Sequence, residues 1–110
     1  MEQMTIQYVT DQNFDDVVMK SGKLVLVDFY ADWCGPCRML SPVLNEINNE
    51  YGDQVTVAKV NVDENPKAAI QQQVMSIPTL KFVKNGKVLG TSVGFKSKEQ
   101  LKNMLNSLLV

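Results

Sequence analysis

Trp33-Cys34-Gly35-Pro36-Cys37 holds both cysteines of the chain, and what flanks it decides the fold. On its N-terminal side lies Leu24-Val25-Leu26-Val27-Asp28-Phe29-Tyr30, an apolar, β-branched run that reads as a fully buried strand. On its C-terminal side, Met39, Leu40, Val43, Leu44 and Ile47 recur at the spacing of one helix face. The two thiols therefore sit where a buried strand hands over to a helix. A helix N-terminus presents unpaired N–H groups and the positive end of the dipole, which favour a thiolate over a thiol. Cys34, the first of the pair, is expected to be the exposed, activated sulfur. Cys37 follows one turn deeper on the same face. Pro36 suits a first helical turn, where its missing N–H would have no partner.

Three other uses of two cysteines compete with a redox pair. A structural disulfide closing so short a loop removes only about 2 kcal/mol of unfolded-chain entropy, against about 3 for a 15-residue loop. A zinc site needs a second pair or histidines, and the chain has neither. Covalent haem attachment needs His after the second Cys, where Arg38 stands. A redox dithiol is the reading that the strand-to-helix context supports.

Bulk properties narrow the class. With 110 residues the chain is expected to form one domain, 1–110, burying roughly 65% of its unfolded surface. Hydrophobic content of 45% and charged content of 21% are ordinary for a globular protein. A net charge of −1 argues against nucleic acid or an anionic membrane as the main partner. The opening Met1-Glu2-Gln3-Met4 has no basic region before an apolar run, so no secretory leader is expected, and no stretch has membrane-spanning length. Two close cysteines without a leader point to a reducing cytoplasm and a catalytic pair. The absence of His removes Ser-His, Cys-His and histidine-metal chemistry.

Outward from the motif, the pattern predicts β-α-β-α-β-α-β-β-α. Thr5 to Val9 reads as a short strand, and Thr10 or Asp11 as the cap of a helix with Phe14, Val17 and Val18 inside. The helix from Cys34 to about Glu50 contains Pro42, so a kink is expected. Val55 to Val62 is another buried strand, and Asn65 with Pro66 opens a third helix. Thr79–Lys84 and Lys87–Val93 are antiparallel strands across an Asn85-Gly86 turn. Ser97 and Gln100 form a capping box for a last helix striped by Leu101, Met104, Leu105, Leu108 and Leu109.

Val27-Asp28-Phe29, Trp33-Cys34-Gly35-Pro36-Cys37 and Ser76-Ile77-Pro78-Thr79 together resemble the thioredoxin family, and the likeness covers the whole chain. It implies an α/β fold with a central five-stranded mixed sheet flanked by four helices. It implies a protein-disulfide reductase, recharged by an NADPH-dependent thioredoxin reductase and acting on disulfide-containing proteins. No bound cofactor or metal is implied; the redox group is the Cys34–Cys37 disulfide itself. A cytoplasmic monomer is expected. Two alternatives remain open: a binding module that uses the same groove without chemistry, and a disulfide oxidant or isomerase of the same fold.

The resemblance also distributes roles. Cys34 is the nucleophile and Cys37 the resolving thiol. Asp28, the one charge in a buried strand, is the proton acceptor for Cys37, its pKa raised by desolvation. Lys59 shares parity with Val55 and Val57 and can approach Asp28, a snorkelling lysine being the alternative. Ile77-Pro78 matches the family's cis-proline loop facing the dithiol. Trp33, Gly35, Pro36, Ile77, Pro78, Val93 and Gly94 form a substrate-binding rim; for Trp33, core packing is the competing reading. Tyr30 stands where many members have Trp, Asp32 at a position that is often Glu, and Gln73 where some have Gly. None of the three touches the chemistry.

Overall fold

A computed structural model describes residues 5–110; the opening residues 1–4, where the leader expectation falls, lie outside the described part. The elements are β1 (Gln7–Tyr8), α1 (Asp15–Met19), β2 (Leu24–Tyr30), α2 (Gly35–Tyr51), β3 (Val55–Asn61), α3 (Pro66–Gln71), β4 (Thr79–Lys84), β5 (Lys87–Val93) and α4 (Lys98–Leu108). The five strands form one sheet in the order β1-β3-β2-β4-β5. β1 and β2 lie parallel to β3, reached through helical crossovers, while β4 runs antiparallel to both β2 and β5. The mixed five-stranded sheet with four helices is the architecture that the sequence implied.

Strand parity divides the core. Leu24 and Leu26 of β2, Val55 and Val57 of β3, and Leu80 and Phe82 of β4 point to one face. There they meet Leu40, Leu44, Ile47 and Tyr51 of α2 and Leu101 and Leu105 of α4. Val25, Val27 and Phe29 point the other way, with Ala58, Val60 and Val83, toward Phe14 at the start of α1, Val18 of α1 and Ala68 of α3. Phe14 and Phe29 pack there as a tilted pair, their ring centroids 6.1 Å apart. Each such side chain contributes about 1.5–3 kcal/mol of transfer free energy. A sheet covered on both faces needs apolar residues at successive positions, which is why β2 carries no simple alternation. Asp28 and Lys59 fall on the α2 face, continuing the rows of Leu24 and Leu26 and of Val55 and Val57.

Several local expectations change. The first strand is only Gln7–Tyr8. The first helix is a single wide turn, Asp15–Met19, closed by Lys20 N–H donating to the Asp15 carbonyl at 2.9 Å, and no side chain caps it. Asn13 instead occupies the turn before it, its Oδ1 accepting from Thr10 N–H at 2.7 Å. The third strand ends at Asn61 rather than Val62. On α2, Met39 is exposed, and the helix continues through Pro42 to Tyr51. α4 ends at Leu108, leaving Leu109 beyond it as a partly exposed cap. The Asn85-Gly86 turn forms as expected, with φ of 52° and 77°. The capping box also forms, Gln100 N–H donating to Ser97 Oγ at 3.2 Å and Ser97 N–H to Gln100 Oε1 at 2.9 Å.

The cap of α3 is a more instructive correction. Asn65 precedes Pro66 as expected but makes no side-chain cap bond. Its Oδ1 accepts from Asp11 N–H at 3.0 Å, and Asp11 returns the favour from 54 residues earlier in the chain. Asp11 Oδ1 accepts from Ala68 N–H at 2.8 Å and Oδ2 from Lys67 N–H at 3.3 Å. The residue expected to cap the first helix thus caps the third, adding a carboxylate where the dipole favours one. Asp11→Ala is expected to destabilise the fold by about 1 kcal/mol and Asp11→Asn by much less. Urea denaturation of the three proteins checks this; equal stability of parent and Asp11→Ala would remove the cap from the account.

Candidate active site

The site forms where β2 ends and α2 begins. Cys34 is the N-cap of α2, with extended backbone (φ −85°, ψ 113°), so the chain turns sharply into the helix at the first sulfur. Cys34 Sγ accepts from Cys37 N–H at 3.2 Å, and Arg38 N–H donates to the Cys34 carbonyl at 3.1 Å. Ser, Thr and Asp usually supply a side-chain acceptor at this position; here a sulfur does. The two sulfurs are joined in a disulfide.

The expectation of an exposed Cys34 is not met. It is 4% exposed and Cys37 is 3% exposed, so depth does not separate them. Both pack with Ala31 among Tyr30, Val62 and Ile77, a small apolar cluster that withdraws the disulfide from solvent. What distinguishes the sulfurs is the hydrogen bond. Cys34 receives the helix N–H, and Cys37 supplies it.

Trp33 stands outside this cluster, 68% exposed, with its indole Nε1–H donating to Asp63 Oδ2 at 2.9 Å. That bond tethers the ring without burying it. Asp63 went unrecognised in the sequence. Trp33 borders a cleft of about 440 Å³ with Val62, Ala69, Val74, Met75, Ser76 and Ile77, and Met75 is almost fully exposed there. The Ile77–Pro78 peptide bond is cis. Pro78 is buried, and its carbonyl accepts from Gly94 N–H at 2.8 Å, which joins the proline loop to the end of β5. Val93 is exposed beside it, and Pro36 is exposed at the first turn of α2 with Gly35 half-buried. Of the residues expected to form the rim, Ile77 packs against the cysteine cluster, and the Pro78–Gly94 bond ties its loop to the end of β5, where Val93 lies.

On the α2 face of the sheet, Asp28 and Lys59 face each other in register on β2 and β3. Asp28 is wholly buried, and among the described residues neither carboxylate oxygen has a hydrogen-bond partner. Desolvation pushes its pKa up to about 7, the ammonium of Lys59 pulling it partly back. Lys59 Nζ lies 3.9 Å from Asp28 Oδ2, donates to Ser41 Oγ at 3.2 Å and sits 4.6 Å from the centre of the Tyr30 ring. The approach inferred from strand parity is therefore the one observed. Lys59, Ser41 and Cys37 open together onto a cleft of about 420 Å³, also lined by Tyr8, Tyr30 and Arg38. Arg38 closes the turn before α2, its guanidinium donating to the Asp32 carbonyl at 3.1 Å.

Among the described residues no helix is long and apolar enough to cross a membrane. A model of the family described as thioredoxin matches residues 5–107. A thioredoxin of Acidithiobacillus ferridurans is 52% identical over 104 residues, covering 94% of this chain and 96% of the relative. A thioredoxin of Bacillus subtilis is 49% identical over 106 residues, 96% of this chain and all of the relative. Thioredoxin 1 of Synechococcus elongatus is 52% identical over 101 residues, 92% of this chain and 94% of the relative. With a disulfide-bonded Cys-Gly-Pro-Cys pair at the head of α2 and likeness of this extent along its length, the chain belongs to the thioredoxin family and is a thiol–disulfide oxidoreductase.

Proposed function

We propose that the chain works as one domain, a cytoplasmic monomer that reduces disulfides in other proteins with Cys34 as nucleophile and Cys37 as resolving thiol. The observation that carries this reading is the N–H of Cys37 aimed at Cys34 Sγ at the head of α2. In the reduced protein that donor and the helix dipole favour the Cys34 thiolate. The thiolate attacks one sulfur of the substrate disulfide, a mixed disulfide forms, and the other substrate sulfur leaves as a thiolate. Asp28 then takes the proton of Cys37. The Cys37 thiolate attacks Cys34, restoring the Cys34–Cys37 disulfide and releasing the second substrate sulfur. Two electrons pass to the substrate. An NADPH-dependent thioredoxin reductase returns them.

The rim of Trp33, Gly35, Pro36, Ile77, Pro78, Val93 and Gly94 is the substrate-binding surface in this reading. An exposed indole held by Asp63 and an exposed Val93 offer apolar contact to an extended substrate segment. Asp28 is suited to accept a proton near neutrality because burial has brought its pKa to about 7. Lys59 is its partner, and it limits how far burial can carry that shift.

Two outcomes follow. Cys37→Ser is expected to accumulate covalent adducts with disulfide proteins, and Cys34→Ser to form none and to lose all reductase activity. Mass spectrometry after mixing decides; adducts on Cys34→Ser alone would reverse the two roles.

The second outcome concerns pH. The folded pKa of Asp28, about 7, lies above the ordinary value of 3.8 that the unfolded chain has. Between these values the unfolded chain ionises first, so stability falls as pH rises from 3.8 to about 7. The full loss is on the order of 4 kcal/mol and persists at alkaline pH. Asp28→Asn is expected to lack this fall, to exceed the parent in stability at pH 8, and to turn over disulfides more slowly. Denaturation midpoints across the pH range, paired with coupled NADPH assays, check both. A variant less stable at every pH would make Asp28 a structural carboxylate, and unchanged turnover would end its role as proton acceptor.

A further inference from the structure

Ser41 lies one helical turn beyond Cys37, at the i, i+4 position on the same face of α2. Its hydroxyl oxygen accepts from Lys59 Nζ at 3.2 Å, while that ammonium stands 3.9 Å from Asp28 Oδ2, too far to donate to it. The carboxylate oxygens, buried and without donors, are the strongest acceptors near the ammonium, yet the ammonium bonds to the serine instead. Lys59 is itself nearly buried, so its N–H groups have few other places to go. The Tyr30 ring at 4.6 Å holds a further side of the ammonium.

We propose that Ser41 is a positioning residue that draws the Lys59 ammonium away from Asp28 and so keeps the Asp28 carboxylate basic enough to accept the proton of Cys37.

This rests on the reading of Asp28 as proton acceptor and adds a residue that acts on it through Lys59. With Ser41 in place, Lys59 acts on the carboxylate as a charge at a distance. Without the hydroxyl, the nearest strong acceptor left for a buried ammonium is the carboxylate itself. The pair would close to hydrogen-bond length and stabilise the ionised form. Asp28 would then be a weaker base toward Cys37. The other ionisable side chains at the cleft are Tyr8 from β1, Tyr30 from β2, Asp32 from the loop after it, and Cys37 and Arg38 from α2. On β4, the residue opposite Asp28 is the apolar Leu80. Among the described residues none of these side chains is hydrogen-bonded to the Ser41 hydroxyl, whose bond is to Lys59, so the effect is expected through Lys59.

The test is the titration of the Asp28 carboxyl carbon by ¹³C NMR in the oxidised protein, where neither cysteine ionises. Ser41→Ala is expected to lower the midpoint by about half a pH unit or more, roughly threefold in the ionisation constant. Ser41→Thr, which keeps the hydroxyl, is expected to leave it at the parent value. A midpoint in Ser41→Ala that is unchanged, raised or lowered by less would overturn the proposal, as would an equal fall in Ser41→Thr. Turnover separates this from the role of Asp28. If Ser41→Ala lowers the midpoint while Asp28→Asn turns over normally, Ser41 positions Lys59 but Asp28 is not the acceptor. If Asp28→Asn slows turnover and the midpoint stays put, Ser41 has no such part.

Discussion

β2 lies parallel on β3 with Asp28 opposite Lys59, and the same register sets Leu24 against Val55 and Leu26 against Val57. A slip of one residue would turn every side chain of β2 to the other face. Asp28 would then leave the underside of α2 and enter the layer of Phe14 and Val18. The apolar rows on both faces prevent this, because exchanging them would mismatch two cores at once. A packing constraint spread over many side chains thus holds in place one buried carboxylate whose oxygens accept no hydrogen bond among the described residues. The cost of that carboxylate is accepted at a single point in the sheet and gives a group that ionises near neutrality.

Above that point, the site is made of chain ends. β2 stops at Tyr30, α2 starts with Cys34 as its cap, the turn before α3 supplies Asp63, and the proline loop is bonded to the end of β5. No one of these segments could define the site alone. They meet beyond the end of the central strand β2, where the disulfide is itself nearly enclosed and Trp33 is left standing as the exposed part. Reactivity in such an arrangement comes from directed N–H groups and dipole more than from exposure, which is why two sulfurs of equal burial can have different chemistry.

Much of this was legible because the signals are local. The buried run before Cys34, the Asn85-Gly86 turn and the Ser97–Gln100 box each act through neighbours a few residues away. Parity put Lys59 within reach of Asp28 but left a snorkelling lysine as the alternative, which the ion-pair geometry decides. Long-range choices were not legible. Nothing near Asp11 indicates that its carboxylate turns toward α3, since the partners Lys67 and Ala68 lie 56 and 57 residues on. Nor could the sequence show Asp63 under Trp33, or the apolar cluster that buries Cys34 as deeply as Cys37. Gln73 is intermediate. It sits at the end of α3 with φ of 57°, its N–H donating to Ile70 O and that of Val74 to Ala69 O, the bonds of a left-handed helix ending. Glycine is the usual residue there, so the departure noted from the sequence falls on a position where backbone conformation, and not chemistry, is at stake.

The central claim, that the head of α2 makes Cys34 and not Cys37 the reactive thiolate, is tested most directly by alkylation of the reduced protein. Iodoacetamide is applied over a range of pH, and the modified peptide is identified by mass spectrometry. The account predicts that Cys34 is modified first, with a rate that reaches half its maximum well below the ordinary thiol pKa of about 8.5. Modification of Cys37 first, or a midpoint at or above that value, would contradict it.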